Sequence, residues 1–244
     1  MKCHSVIIAA LVVLCLTFGC SVPQKRQPLA AGQPSAAGDS TLYGLVCDGS
    51  NDSIVVFLND PYDGSDPDTL DILDASSRRQ VFGTLRIGDK VALKRNAADS
   101  TKADIVIVTQ DLIGQWCYKV KPTLRRRAGM QPVEELPDSV RKMLDEEREY
   151  GFTLKIDSLA MPVGMRQRAT ADEESPVEYP RMKRYRQWYI SNGRLLLTQA
   201  RVDSVGNPLP AVVDTAALVL LTPDSLILRF ADGDHSYYRK TDGE

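Results

Sequence analysis

The chain has 244 residues, 43% hydrophobic and 25% charged, which are globular proportions with length for one or two domains. Its 30 Lys and Arg against 32 Asp and Glu, a formal net charge of −2, argue against nucleic acid as a partner, because that work needs a surplus of cations. With two histidines, His4 and His235, a His-rich zinc site or a Ser-His-Asp mechanism has little to draw on.

The amino terminus reads as an address. Lys2 precedes an apolar run over 6–18, followed by Gly19 and Cys20. A charged start, about a dozen apolar residues and a small residue at the end make a secretory signal over 1–19. The run is shorter than the ~20 residues a bilayer span requires, which disfavours an uncleaved anchor. Leu16-Thr17-Phe18-Gly19-Cys20 resembles the lipobox of bacterial lipoproteins. The resemblance implies that Cys20 becomes the first residue and carries a diacylglycerol and an amide-linked acyl chain of the palmitate type. Several acyl chains anchor firmly where one does not. Ser21, where an Asp would signal inner-membrane retention, implies the outer membrane. The absence of an acidic cluster after Cys20 implies its periplasmic face. The expected partner is therefore the membrane, and the expected localisation the cell envelope.

Cys3 and Cys15 leave with the signal. Cys47 and Cys117 remain, in an oxidising compartment that favours pairing. The alternatives are a Cys47–Cys117 disulfide and two unpaired, partly buried thiols, since spacing alone does not reveal whether the backbones approach. Residues 20–40, rich in Pro, Ala, Gly, Ser and Gln, are a lipidated flexible tether.

Residues 41–110 carry five short strand patterns, at 42–47, 53–58, 69–73, 90–94 and 104–109. The first two are joined by the turn-forming Asp48-Gly49-Ser50-Asn51-Asp52. Five strands in about seventy residues predict a small OB-like or SH3-like barrel. The loop at 59–68 holds Asp60, Asp63, Asp66 and Asp68. It is either a Ca²⁺ loop or a solvated acidic turn, and its spacing is not that of an EF-hand.

Residues 111–240 form a second unit, with 241–244 as a tail. Residues 112–120 alternate, Trp116, Tyr118 and Val120 on one face and Gln115, Cys117 and Lys119 on a wet one. One helix follows, on Leu136, Val140, Met143 and Leu144, with Pro137 and Asp138 in its first turn, Arg148 near its end and Gly151 just past it. Strand patterns then return at 150–156, 159–168, 183–190, 194–202, 211–221, 225–231 and 234–240. Asn192-Gly193 is the strongest hairpin signal among them. Successive strands joined by local turns predict an up-and-down meander, and about eight strands suffice to close a barrel around side chains or one small ligand. The fold class expected for the whole chain is mainly β.

Gly114-Gln115-Trp116, Tyr150-Gly151-Phe152-Thr153-Leu154, Tyr185-Arg186-Gln187-Trp188 and Asn192-Gly193-Arg194-Leu195-Leu196-Leu197 lie in that meander. With Asp214-Thr215 and Leu221-Thr222-Pro223-Asp224-Ser225-Leu226, they resemble the lipocalin-like, calycin-type domain of bacterial envelope lipoproteins. The resemblance covers about 130 residues. It implies a barrel whose first strand carries the tryptophan, with a helix that closes one end. It also implies an arginine from the last strands on that indole, either Arg229 or Arg239.

Trp116, Phe152 and Trp188 are the candidate ligand-lining residues, although both tryptophans equally suit a filled core. Arg125-Arg126-Arg127 and Arg181, Lys183, Arg184 and Arg186 can meet phosphate head groups or simply edge the sheet. His235 with Tyr237 is a further candidate polar contact. No nucleophile–base pairing stands out, and no metal or cofactor is expected. Two functions follow: a barrel that binds a small hydrophobic or lipidic ligand, and a non-enzymatic structural or interaction module of the envelope whose protein partner is unknown.

Overall fold

The computed structural model describes residues 38–125, 136–164 and 175–241. The signal, Cys20, most of the tether, Arg126, Arg127 and the end of the tail lie outside the described residues. The architecture is mainly β.

The first sheet uses β1 (Thr41–Val46), β2 (Ile54–Asn59), β3 (Asp68–Asp71), β4 (Val81–Phe82), β5 (Lys90–Arg95) and β6 (Ala103–Val108), in the order β3-β2-β1-β5-β6-β4. The β1–β2 turn places Gly49 at φ 91°, and the Asn51 side chain accepts from the amides of Ser53 and Ile54. β3 stops early because the Asp71 carboxylate accepts from the Leu73 amide at 2.8 Å. That bond turns the chain into α1 (Leu73–Ser77), where a strand to 73 was expected. Asp71 also makes a parallel bridge to Lys102, beside the start of β6. The sheet thus rolls up in the order β1-β2-β3-β6-β5, the Greek-key arrangement of a small OB-type barrel. β4 adds a sixth, two-residue strand parallel to β6. Val55, Phe57, Leu70, Ile72, Val91, Leu93, Val106 and Val108 fill the interior.

α2 (Thr109–Leu112) leads into the second sheet. Its strands are β7 (Gly114–Val120), β9 (Arg148–Leu154), β10 (Ala160–Val163), β12 (Tyr185–Ser191), β13 (Arg194–Val202), β14 (Pro208–Leu221), β15 (Ser225–Phe230) and β16 (Gly233–Lys240). Between them lie β8 (Thr123–Leu124) and β11 (Val177–Glu178), which form a separate two-stranded ladder, and α3 (Asp138–Asp145). The order β10-β9-β7-β16-β15-β14-β13-β12 is an up-and-down meander in which the last strand returns to the first: Arg239 faces Trp116 and Tyr238 faces Cys117. Across the remaining seam, Leu159 bridges Gln187 and the Trp188 amide donates to the Ser158 carbonyl at 2.9 Å. The eight strands therefore form a nearly closed barrel.

Three expectations are corrected. The described residues contain three short helices rather than one, and α3 buries none of its side chains. It cannot seal the barrel end, because an end cap must bury an apolar stripe. Its run stops at Asp145, as Glu146 turns extended (ψ 103°) and Arg148 already begins β9. Gly151 lies within that strand, facing Cys117, and a Cβ there would collide with the Trp116 carbonyl. The face of β7 expected to be wet is only partly so, because Cys117 is fully buried.

The two sheets belong to one compact unit and share packing. Phe82, Ala92 and Ile107 of the first sheet join Leu112, Trp116, Ile190 and Leu195 in one apolar cluster. The Asn192-Gly193 turn (φ 50° and 74°) seats on the first sheet. The Asn192 amide donates to Thr41 Oγ1 at 2.7 Å, and the Tyr43 hydroxyl donates to the Ile190 carbonyl.

Candidate functional site

One end of the barrel is sealed by Arg239. Trp116 is fully buried, and its indole N–H donates to the Leu112 carbonyl at 2.8 Å. The Arg239 guanidinium lies over the indole, 4.2 Å from the ring centroid, and donates to the carbonyls of Ile113, Asp111 and Pro223. Burial pulls the Arg239 pKa down, while Asp111 and Asp224 act in the opposite sense. Arg229, the other candidate, points outward and pairs with Asp234 at 2.6 Å. Gly114 has φ 140°, and a Cβ on it would collide with the Arg239 guanidinium. Gly-x-Trp at the start of β7 and the arginine at the end of β16 are therefore parts of one plug.

The interior above the plug is occupied by side chains, among them Phe152, Leu154, Trp188, Leu197, Leu218, Leu226 and Leu228, all in the same buried cluster. Trp188 is also core: its indole N–H donates to the Lys155 carbonyl at 2.9 Å beside the seam. Of the three candidate residues, Phe152 reaches the open end of the barrel, and the two tryptophans pack in the core.

The open end of the barrel holds a cup of about 170 Å³, with Tyr118, Phe152, Tyr185, Phe230 and Tyr237 on its walls and Arg181, Lys183 and His235 at its edge. Phe152 meets Tyr185 and Tyr237 with centroids 5.7 and 5.1 Å apart, and Tyr118 meets Tyr237 edge-on at 5.5 Å. Edge-to-face contacts of this kind fix ring orientations. The Tyr185 hydroxyl donates to Asp214 Oδ2 at 2.9 Å; Gln199 Nε2 and Lys183 Nζ reach the same oxygen at 3.0 and 3.1 Å. Burial first, then the bond to Asp214, pushes Tyr185 far above the usual phenol range, and burial does the same to Tyr237. Both phenols stay neutral, so the wall is uncharged. Two basic side chains sit at the rim: Lys183 Nζ is 5.3 Å from the Phe230 centroid, and His235 packs edge-on against the same ring while its Nε2 lies 3.2 Å from Asp232.

Tyr118, Tyr185 and Asp214 figure in the sequence reading only as parts of strand and family patterns, and neither they nor Phe230 were singled out as site residues. The inward phase of β7, Trp116 then Tyr118, carries the signal for one of them, because alternate residues share a face. Among the basic candidates, Arg125 reaches Glu178 at 3.8 Å, whereas Arg184 and Arg186 are exposed. The acidic loop does not converge: Asp60 pairs with Lys90 at 3.0 Å, Asp68 with Arg95 at 2.7 Å, and Asp63 accepts from Ser65. Cys47, just after β1, and Cys117, within β7, are both free thiols, so of the two alternatives the structure has the unpaired one. Burial raises the Cys117 pKa, and the Glu149 and Lys240 charges act on it in opposite senses.

No protein-family model matches the chain, and no curated protein matches it significantly. A solved structure to which it is similar is a lipocalin-like protein from Bacteroides thetaiotaomicron VPI-5482. The two share 18% identity over 53% of this chain and 97% of that one, with a TM-score of 0.30.

Proposed function

We propose that the chain is a lipid-anchored protein of the bacterial envelope, held by acylated Cys20 at the outer membrane facing the periplasm, whose lipocalin-like barrel binds a small apolar ligand. The role is binding rather than catalysis. The observation that carries the reading is the aromatic cup at the open barrel end. Its walls are apolar, its phenols are neutral, and it opens where the strands stop. The side chains filling the barrel below limit the ligand to a group that enters the mouth. At about 170 Å³ the cup lies below the ~300–1,000 Å³ of ordinary small-molecule sites. Native mass spectrometry of protein extracted from its own envelope tests both halves. A retained small molecule and an acyl mass on Cys20 are expected; an unmodified, ligand-free chain overturns the reading.

A second reading, an interaction module, has its own observation. β14 pairs with β13 from Pro208, but β15 joins it only from Ala217 onward and β12 pairs with β13 no further than Gln199, so the tip of the β13–β14 hairpin runs on as a two-stranded arm with Val212 and Val213 at its base. Val205, Leu209, Val212 and Val213 are exposed on it. Pull-down of the lipidated protein with and without charged substitutions on this arm separates the readings: a partner lost on substitution supports the module.

A further inference from the structure

Beside the cup lies a larger, polar cavity of about 420 Å³, built on the β8–β11 ladder and the segment that follows it. Lys121, Arg125 and Arg181 line it, and Glu178 is the one carboxylate among the described lining residues. Arg181 lines both this cavity and the cup. No carboxylate among the described residues pairs with Arg181, and Lys121 reaches Glu147 only at 3.9 Å. We infer that this cavity is an anion site. It takes the phosphate or carboxylate head of a small amphiphile whose apolar end enters the aromatic cup.

The assignment deepens the proposed ligand-binding function and rests on it for the apolar half. Three arguments support it. The cup alone is too small for an ordinary ligand, whereas the neighbouring cavity is of ordinary size. Among the described lining residues Lys121, Arg125 and Arg181 outnumber Glu178, and anions are favoured in a recess where cations outnumber carboxylates. Arginine at the junction can hold a phosphate or carboxylate through two parallel N–H donors, which fixes the head relative to the cup. Lys183 contributes less, because Asp214 already holds its ammonium.

The test is calorimetric titration of the full chain with three probes: hexyl phosphate, hexanol and inorganic phosphate. Hexyl phosphate is expected to bind about tenfold tighter than hexanol, the gain of roughly two partly exposed charge contacts. Arg181→Gln is expected to weaken hexyl phosphate more than hexanol and so remove most of that difference. Raising the ionic strength on the unsubstituted chain should weaken hexyl phosphate and not hexanol, a readout that needs no variant. Equal affinity for hexyl phosphate and hexanol overturns the anion site and leaves the cup standing. Inorganic phosphate binding as tightly as hexyl phosphate shows a free anion as the ligand and overturns the amphiphile. Binding of none of the three overturns both the site and the reading beneath it.

Discussion

Gly114 and Arg239 depend on each other. The glycine takes a φ of 140°, which L side chains rarely adopt, and its bare Cα leaves the space the guanidinium fills. The guanidinium cannot swing away cheaply, because it donates to three backbone carbonyls and lies over Trp116. Gly114→Ala should therefore cost about 1–3 kcal/mol, read as a lower urea midpoint at unchanged m-value. Arg239→Lys keeps the charge but loses the planar fork, so about 1–2 kcal/mol should go with it. An Arg239→Lys protein as stable as the parent would show that the charge suffices. At the other end, Tyr185→Phe deletes the donor to Asp214 without opening a cavity. It should cost about 1 kcal/mol and leave the cup's shape unchanged in a crystal structure.

Strand pairing across β9, β7 and β16 is reinforced by Glu149, which accepts from Lys240 and from the Tyr238 hydroxyl at 2.7 Å. The bond from Lys240, then that from Tyr238, holds the Glu149 carboxyl below its usual range. A carboxylate whose pKa falls on folding stabilises the folded state at neutral pH. That contribution is lost as pH drops from about 4.3 through the lower folded value. Glu149→Gln should lower stability at pH 7 and flatten its decline in acid, measured by urea unfolding across pH. The Asn192-Gly193 turn illustrates a different coupling. Its residues take the left-handed conformations a tight hairpin requires, so the signal is local. Yet a Cβ on Gly193 would lie 2.6 Å from Ile105 Cδ1, so the glycine also serves the contact between the sheets. Gly193→Ala should cost more than the about 1 kcal/mol expected of turn strain alone.

One apolar cluster runs from Phe82, Ala92 and Ile107 into the barrel, and Tyr43 bonds to the Ile190 carbonyl. Burial, then the charge of Asp39, pushes the Tyr43 phenol up to about 12. Cutting the chain between the sheets would expose these faces to water, at roughly 25 cal/mol per Å² of apolar surface. Residues 41–240 should therefore melt in a single calorimetric transition with equal calorimetric and van't Hoff enthalpies. Two separable transitions would show that the shared cluster does not couple the sheets.

Much of this was legible from local chemistry. Period-two alternation marks β7 and β9, Asn192-Gly193 marks a hairpin, and a meander of local turns implies a barrel that returns to its first strand. Each is a short-range rule of backbone geometry, written in neighbouring residues. Leu73 misled because an Asp71 side-chain bond, not apolar pattern, ends β3. Gly151 falls in the strand pattern at 150–156, but the need for a glycine there is set by the Trp116 carbonyl of the strand beside it, which no local window contains. The choice of Arg239 over Arg229, the burial of Cys117 and the gathering of five aromatic rings at one mouth depend on which strands become neighbours when the sheet closes. Those contacts join residues distant in sequence, Arg239 and Trp116 among them more than a hundred positions apart, and composition and periodicity carry no record of them.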